Sequence, residues 1–178
     1  MAASRYGAGD TAAAAAIFYI VMYSFANLAA WSVILFYNWR NKTESIASYQ
    51  GLAKRNPFMA FTLLVALLSM AGAPPLAGFV GKFYLFRGVL EAQPHGAWWW
   101  VALLAIINSV ISLYYYFGVL KPVYFDEPQE DKPILLSRPA QAGMIACLLI
   151  IAVLAIFPNI TQVALQAGST ITLLPPTP

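Results

Sequence analysis

Lys82 lies in an otherwise apolar stretch, shortly after a segment, AGAPPLAGFVG, that cannot be continuous helix. A lysine near the centre of a bilayer costs about 2.5 to 3.5 kcal/mol on insertion scales, so an ionisable group there is a functional hypothesis by default. The chemistry it offers is the loading and release of a proton. Burial disfavours the ammonium and a nearby charge restores it, so a change of surroundings can move a proton on or off. The competing reading is structural, with the lysine stem snorkelling its charge toward the interface.

The segment before it strengthens the functional reading. Pro74 and Pro75 remove two backbone donors and turn the residue before each away from helix, and Gly72, Gly78 and Gly81 loosen the flanks. A helix that stops there leaves free carbonyls that can hold an ammonium, and the helix that restarts offers free N–H groups to water or an anion. Transporters place discontinuous helices where ions bind at mid-membrane. A packing kink is the plain alternative. Farther along, Asn108, Ser112 and Tyr115 recur at i, i+4 and i+7 and share one helical face. They can line a hydrated path near Lys82, or they can simply join helices by hydrogen bonds.

The elements that must carry these residues are membrane spans. Of the 178 residues, 61% are apolar and 10% charged, against about 25% charged in a soluble domain; the mean hydropathy is +0.69. Apolar runs approach or exceed the roughly 20 residues that cross a hydrocarbon core of about 30 Å. The fold class is all-α: a polytopic transmembrane bundle, one domain over 1–178, with about four spans at 11–37, 57–91, 97–121 and 139–165. The second run would be about 50 Å long as one helix at about 1.5 Å per residue. It must be interrupted, and the break is expected at 73–77. Asp10 is a candidate N-cap for the first span, and Trp98, Trp99 and Trp100 are an interfacial anchor for the third.

Charge sets the expected topology. Arg40, Lys42, Lys54, Arg55, Lys121, Lys132 and Arg138 fall at or in the polar loops 38–56 and 122–138, which the positive-inside rule makes cytoplasmic. The formal charge of +3 is thus a matter of topology, and no nucleic-acid partner is expected. Cys147 sits in the apolar run MIACLLIIAV and reads as a small hydrophobe. His95 reads as a loop residue, and the acids at 126, 127, 130 and 131 lie in a solvated loop with no His or Cys beside them. No metal or cofactor site is expected in this chain.

The strings LLSMAGAPPLAGFVGKFYLFRGVLEA and INSVISLYYYFGVLKPVYF, with IFYIVMYSFANLAAW and IASYQGLAKRNPFMAF, closely resemble the proton-translocating subunit N family of respiratory complex I, NADH:quinone oxidoreductase, mitochondrial subunit 2 included. The resemblance covers roughly residues 10 to 125. Subunits L and M and the Mrp-type cation/proton antiporters share the broken helix, but GFVGKF with NSVISLYYY looks more like subunit N, and subunit M is expected to carry a glutamate in place of Lys82.

The resemblance implies a channel subunit of two inverted five-helix repeats with buried lysines and a glutamate along a hydrated axis, in which Lys82 matches the lysine of the second repeat's broken helix. It implies a multi-pass protein of a bacterial inner membrane, partnered by lipid and by other membrane-arm subunits, and part of a translocase with no redox active site in this chain. NADH, flavin, iron–sulfur clusters and quinone belong to other subunits. The family's subunits have about fourteen spans and this chain resembles the last four, so the missing N-terminal part of its own subunit is expected as a further partner. The same residues also fit two other functions, an Mrp-type antiporter subunit and a non-transporting scaffold of the membrane arm.

Overall fold

The computed structural model describes residues 8–91, 99–128 and 132–157. Every regular element among them is helical. Helix α1 runs Ala8–Asn41, longer than the expected 11–37. It passes through Asp10, which therefore lies inside the helix and is not its cap. At the other end the chain leaves the helix at Lys42, whose φ of 54° is left-handed and whose N–H still reaches the Asn38 carbonyl at 2.7 Å.

One stripe of α1 is buried: Phe18, Met22, Ala26, Ala29, Ala30, Val33 and Tyr37. Their steps of three and four residues follow a single helical face. The alanines in its middle let neighbouring helices come close, which is how helices gain contact where apolar side chains meet equally apolar lipid. Ile17, Ile20, Leu28, Leu35 and Trp39 face outward.

A single 3-10 turn, Ile46–Tyr49, and the short α2, Leu52–Arg55, lead into α3, Pro57–Ala71. Pro57 opens α3, where a missing N–H costs nothing, and the Asn56 side chain caps it by accepting from the Met59 N–H at 2.9 Å. Helix α4, Ala77–Glu91, follows the break. Ser69 of α3 meets Met22 of α1, while Gly81 of α4 lies against Phe18 and Tyr19. The order is reversed along α1, so the broken segment continues antiparallel to it on both sides of the interruption.

Helix α5, Trp99–Phe125, outlasts the expected 97–121 by four residues and carries Pro122 in its last turn. The Pro122 carbonyl accepts from the Gly51 N–H at 3.0 Å, so the loop before α2 holds that final turn. Helix α6, Arg138–Ile156, ends before Pro158; the expected extension to 165, like Trp98 and His95, lies outside the described residues. The α1, α5 and α6 segments are long and apolar enough to cross a membrane, and α3 is a shorter apolar helix. Helix α5 exposes Leu103, Leu104, Ile106, Ile107, Val110 and Ile111. Water would not tolerate that surface; lipid or neighbouring helices do.

The two polar loops meet. The Asn56 Nδ2 donates to the Ile134 carbonyl at 2.7 Å, the Arg55 Nε to the Lys132 carbonyl at 3.1 Å, and the Ile134 N–H to the Arg55 carbonyl at 3.3 Å. Lys54 and Glu127 form an exposed ion pair at 2.6 Å. Residues 50–56, 122–128 and 132–134 therefore lie on one side of the bundle.

Candidate proton-carrying site at the helix break

The end of α3 shows why a lysine belongs here. The last four carbonyls of a helix have no partner within it. Gly72, at φ 84°, curls the chain into the left-handed region, so that its N–H reaches the Leu68 and Ser69 carbonyls at 3.0 and 3.1 Å and the Ala73 N–H reaches Leu68 at 3.0 Å. Pro74 and Pro75 then have no N–H to offer. The Ala71 carbonyl takes its hydrogen bond from Lys82, whose Nζ lies 2.8 Å away. The ammonium thus sits at the negative end of the α3 dipole, where a cation is favoured.

Three glycines set the packing around this contact. The stem of Lys82 lies across Gly72, where a Cβ would come within 2.9 Å of its Cδ. Gly78, buried at the start of α4, packs its backbone on the last turn of α3. Gly81, also buried, brings α4 against the Phe18 and Tyr19 rings, the nearest 3.2 Å from the position a Cβ would take. Pro74 and Pro75 themselves are exposed.

The second partner of Lys82 comes from α5. Its Nζ donates to the Ser109 Oγ at 3.1 Å, and Ser109 in turn donates to the Ala105 carbonyl at 2.8 Å. Lys82 is half-buried and directed back toward the break. The face marked out by Asn108, Ser112 and Tyr115 is divided in space: Ser112 is buried and donates to the Asn108 and Ser109 carbonyls at 3.0 and 2.9 Å, whereas Asn108 and Tyr115 are exposed on this chain. Tyr115 packs against Tyr116, ring centroids 4.5 Å apart.

Ser109 is the residue that sequence reasoning missed. Its neighbour Asn108 set the phase of the assumed face, and one residue is about 100° of rotation on a helix. A serine pair at i and i+3, Ser109 and Ser112, was the available signal. Together the geometry offers a lysine at an interrupted helix, held by one carbonyl and one hydroxyl that come from two different helices. Such a group can carry a proton and can register relative movement of α3, α4 and α5.

Residues 1–112, which include the break, Lys82 and Ser109, match the family model described as NADH:quinone oxidoreductase/Mrp antiporter, TM. The chain is 40% identical over 159 residues to NADH-quinone oxidoreductase subunit N of Moorella thermoacetica, covering 88% of this chain and 32% of that protein. It is 37% identical over 161 residues to NAD(P)H-quinone oxidoreductase subunit 2 of a Nostoc species, covering 84% and 30%. Among solved structures, a chain of respiratory complex I from Thermus thermophilus with bound Aureothin aligns with a TM-score of 0.64 at 30% identity, over 82% of this chain and 33% of that one. The chain spans about a third of the length of the curated relatives it matches. With the family model covering more than half of its residues, this integral membrane chain belongs to the NADH:quinone oxidoreductase/Mrp antiporter membrane family.

Proposed function

We propose that the chain forms part of an antiporter-like membrane-arm subunit of a bacterial NADH:quinone oxidoreductase and contributes to proton translocation coupled to electron transfer from NADH to quinone. The observation that carries this reading is the Lys82 ammonium held 2.8 Å from the Ala71 carbonyl at the broken end of α3. Its relatives' names favour the oxidoreductase over the Mrp-type exchanger that shares the family description. Lys82 takes up and passes on a proton, and Asn108, Ser112 and Tyr115 border its path. Pro74, Pro75, Gly78 and Gly81 shape the break. The redox groups (NADH, flavin, iron–sulfur clusters and quinone) sit on other subunits.

Irregular backbone at membrane depth is tolerated only where protein or a wet cavity covers it. The exposed break at Pro74 and Pro75 accordingly calls for partners: the remainder of the subunit and other membrane-arm subunits, within a bacterial inner membrane. Loops 38–56 and 122–138, which carry most of the basic residues, are its cytoplasmic side.

The test is proton pumping by inverted membrane vesicles carrying Lys82→Met, normalised to assembled complex and to electron-transfer rate. Pumping per complex falls severalfold if Lys82 is in the path. Unchanged pumping with normal assembly returns Lys82 to a structural role, and loss of assembly alone favours the scaffold.

A further inference from the structure

We propose that Ser109 is a positioning residue for Lys82 in both of its protonation states, accepting a hydrogen bond from the ammonium and donating one to the neutral amine. This inference rests on the proton-carrying role of Lys82.

The two ligands of Lys82 differ in what they can do. A backbone carbonyl only accepts, whereas a serine hydroxyl has one proton and two lone pairs and turns to suit its neighbours. Ser109 is placed to use this. Its proton points to the Ala105 carbonyl at 2.8 Å and a lone pair receives the Lys82 Nζ at 3.1 Å. This is the arrangement that serves an ammonium. When Lys82 gives the N–H proton that neither ligand holds to a water molecule of the path, the products are a hydronium and a neutral amine whose lone pair first faces that water. A turn about the Cε–Nζ bond takes the lone pair away from the hydronium and brings it opposite the Ser109 oxygen. Left so, two lone pairs oppose each other. Rotation about the Cβ–Oγ bond moves the Ser109 proton from Ala105 to Nζ and removes the conflict. Ala105 loses little, because its carbonyl is at the i−4 position to the Ser109 N–H in the α5 ladder. Ala71 meanwhile keeps one of the two remaining amine N–H groups. No proton passes through Ser109 itself.

Ser112 does not share the task, since its hydroxyl is directed to the Asn108 and Ser109 carbonyls. Ser109 is therefore the one hydroxyl, among the described residues, hydrogen-bonded to Lys82. It is also the link through which α5 senses whether the broken helix is charged.

Threonine and valine are nearly equal in volume and differ by the hydroxyl, so Ser109→Thr and Ser109→Val isolate its contribution. Both, with Ser109→Ala and Lys82→Met, would be placed in the intact complex in native membranes. Assembly, electron-transfer rate and protons moved per electron are measured. Ser109→Thr is expected to pump close to the parent, and Ser109→Val and Ser109→Ala to lose pumping severalfold at normal assembly. Equal pumping by the Thr and Val variants overturns the inference, as does a Val and Ala defect confined to assembly. Normal pumping by Lys82→Met would instead overturn the parent reading, so the two failures are distinct.

Discussion

Gly78 of α4 presses its Cα against the Ser69 carbonyl of α3 so closely that a Cβ built on it would stand 1.6 Å from that oxygen. The obstacle is backbone, and no rotamer change relieves it. Gly78→Ala must therefore separate the two half-helices at the break. Overpacking of this kind costs about 1–3 kcal/mol, occasionally more. A lowered unfolding temperature in detergent and reduced assembled complex are expected; a variant with the parent's thermal profile would show that the half-helices do not meet in this way.

Asn56 joins two loops and caps a helix with one side chain. Its Oδ1 accepts from Met59 and its Nδ2 donates to Ile134. Asn56→Asp keeps the cap and loses the donor, while Asn56→Ala loses both. Loss of a cap alone costs about 1 kcal/mol, so the alanine variant should be the less stable of the two. It should also be the faster to be cut by protease between 122 and 138. The Lys54–Glu127 pair, at 2.6 Å but largely solvated, is a contrast: exposed ion pairs contribute about 0.2–1 kcal/mol at most, and Lys54→Ala should leave both readouts nearly unchanged.

Tyr49 stacks on Tyr37 with ring centroids 4.0 Å apart, and Tyr37 donates to the Ser48 carbonyl beside it. Burial first, and the neighbouring Tyr37 second, push the Tyr49 hydroxyl up to about 12. The folded state therefore prefers the neutral phenol. The resulting stability is fully present below the unfolded value of about 10 and is lost as pH rises from there to about 12. In an absorbance titration of tyrosinate, Tyr49→Phe should remove a late-ionising group, and the loop around 46–55 of the parent should loosen only above about pH 10. A group ionising near 10 with no change in the loop would contradict the packing.

Much of the element pattern is legible in the chain before folding. The apolar runs, the prolines at 74 and 75 and the isolated lysine are local facts, and local physics bounds what they can form: helices long enough to span, an interruption, and a charge that needs a partner. The helix ends depend on more than local sequence. Helix α5 continues through Pro122, whose carbonyl accepts from Gly51, remote in sequence, and α1 begins before the residue best suited to cap it.

Composition and spacing alone determined that this chain crosses a membrane, that its second run is broken, and that Lys82 lies beside the break. They could not say which groups receive the lysine. Ala71 and Ser109 lie eleven and twenty-seven residues from it, and Ser109 stands about 100° around α5 from Asn108, whose spacing marks a face along that helix. Only packing decided it: glycines at 72 and 78 let α4 overlap the end of α3, and α5 turned its Ser109 toward the gap. Hydrogen bonds need placement to within a few tenths of an ångström, and that precision comes from how helices seat on one another, which no periodicity along a single helix contains.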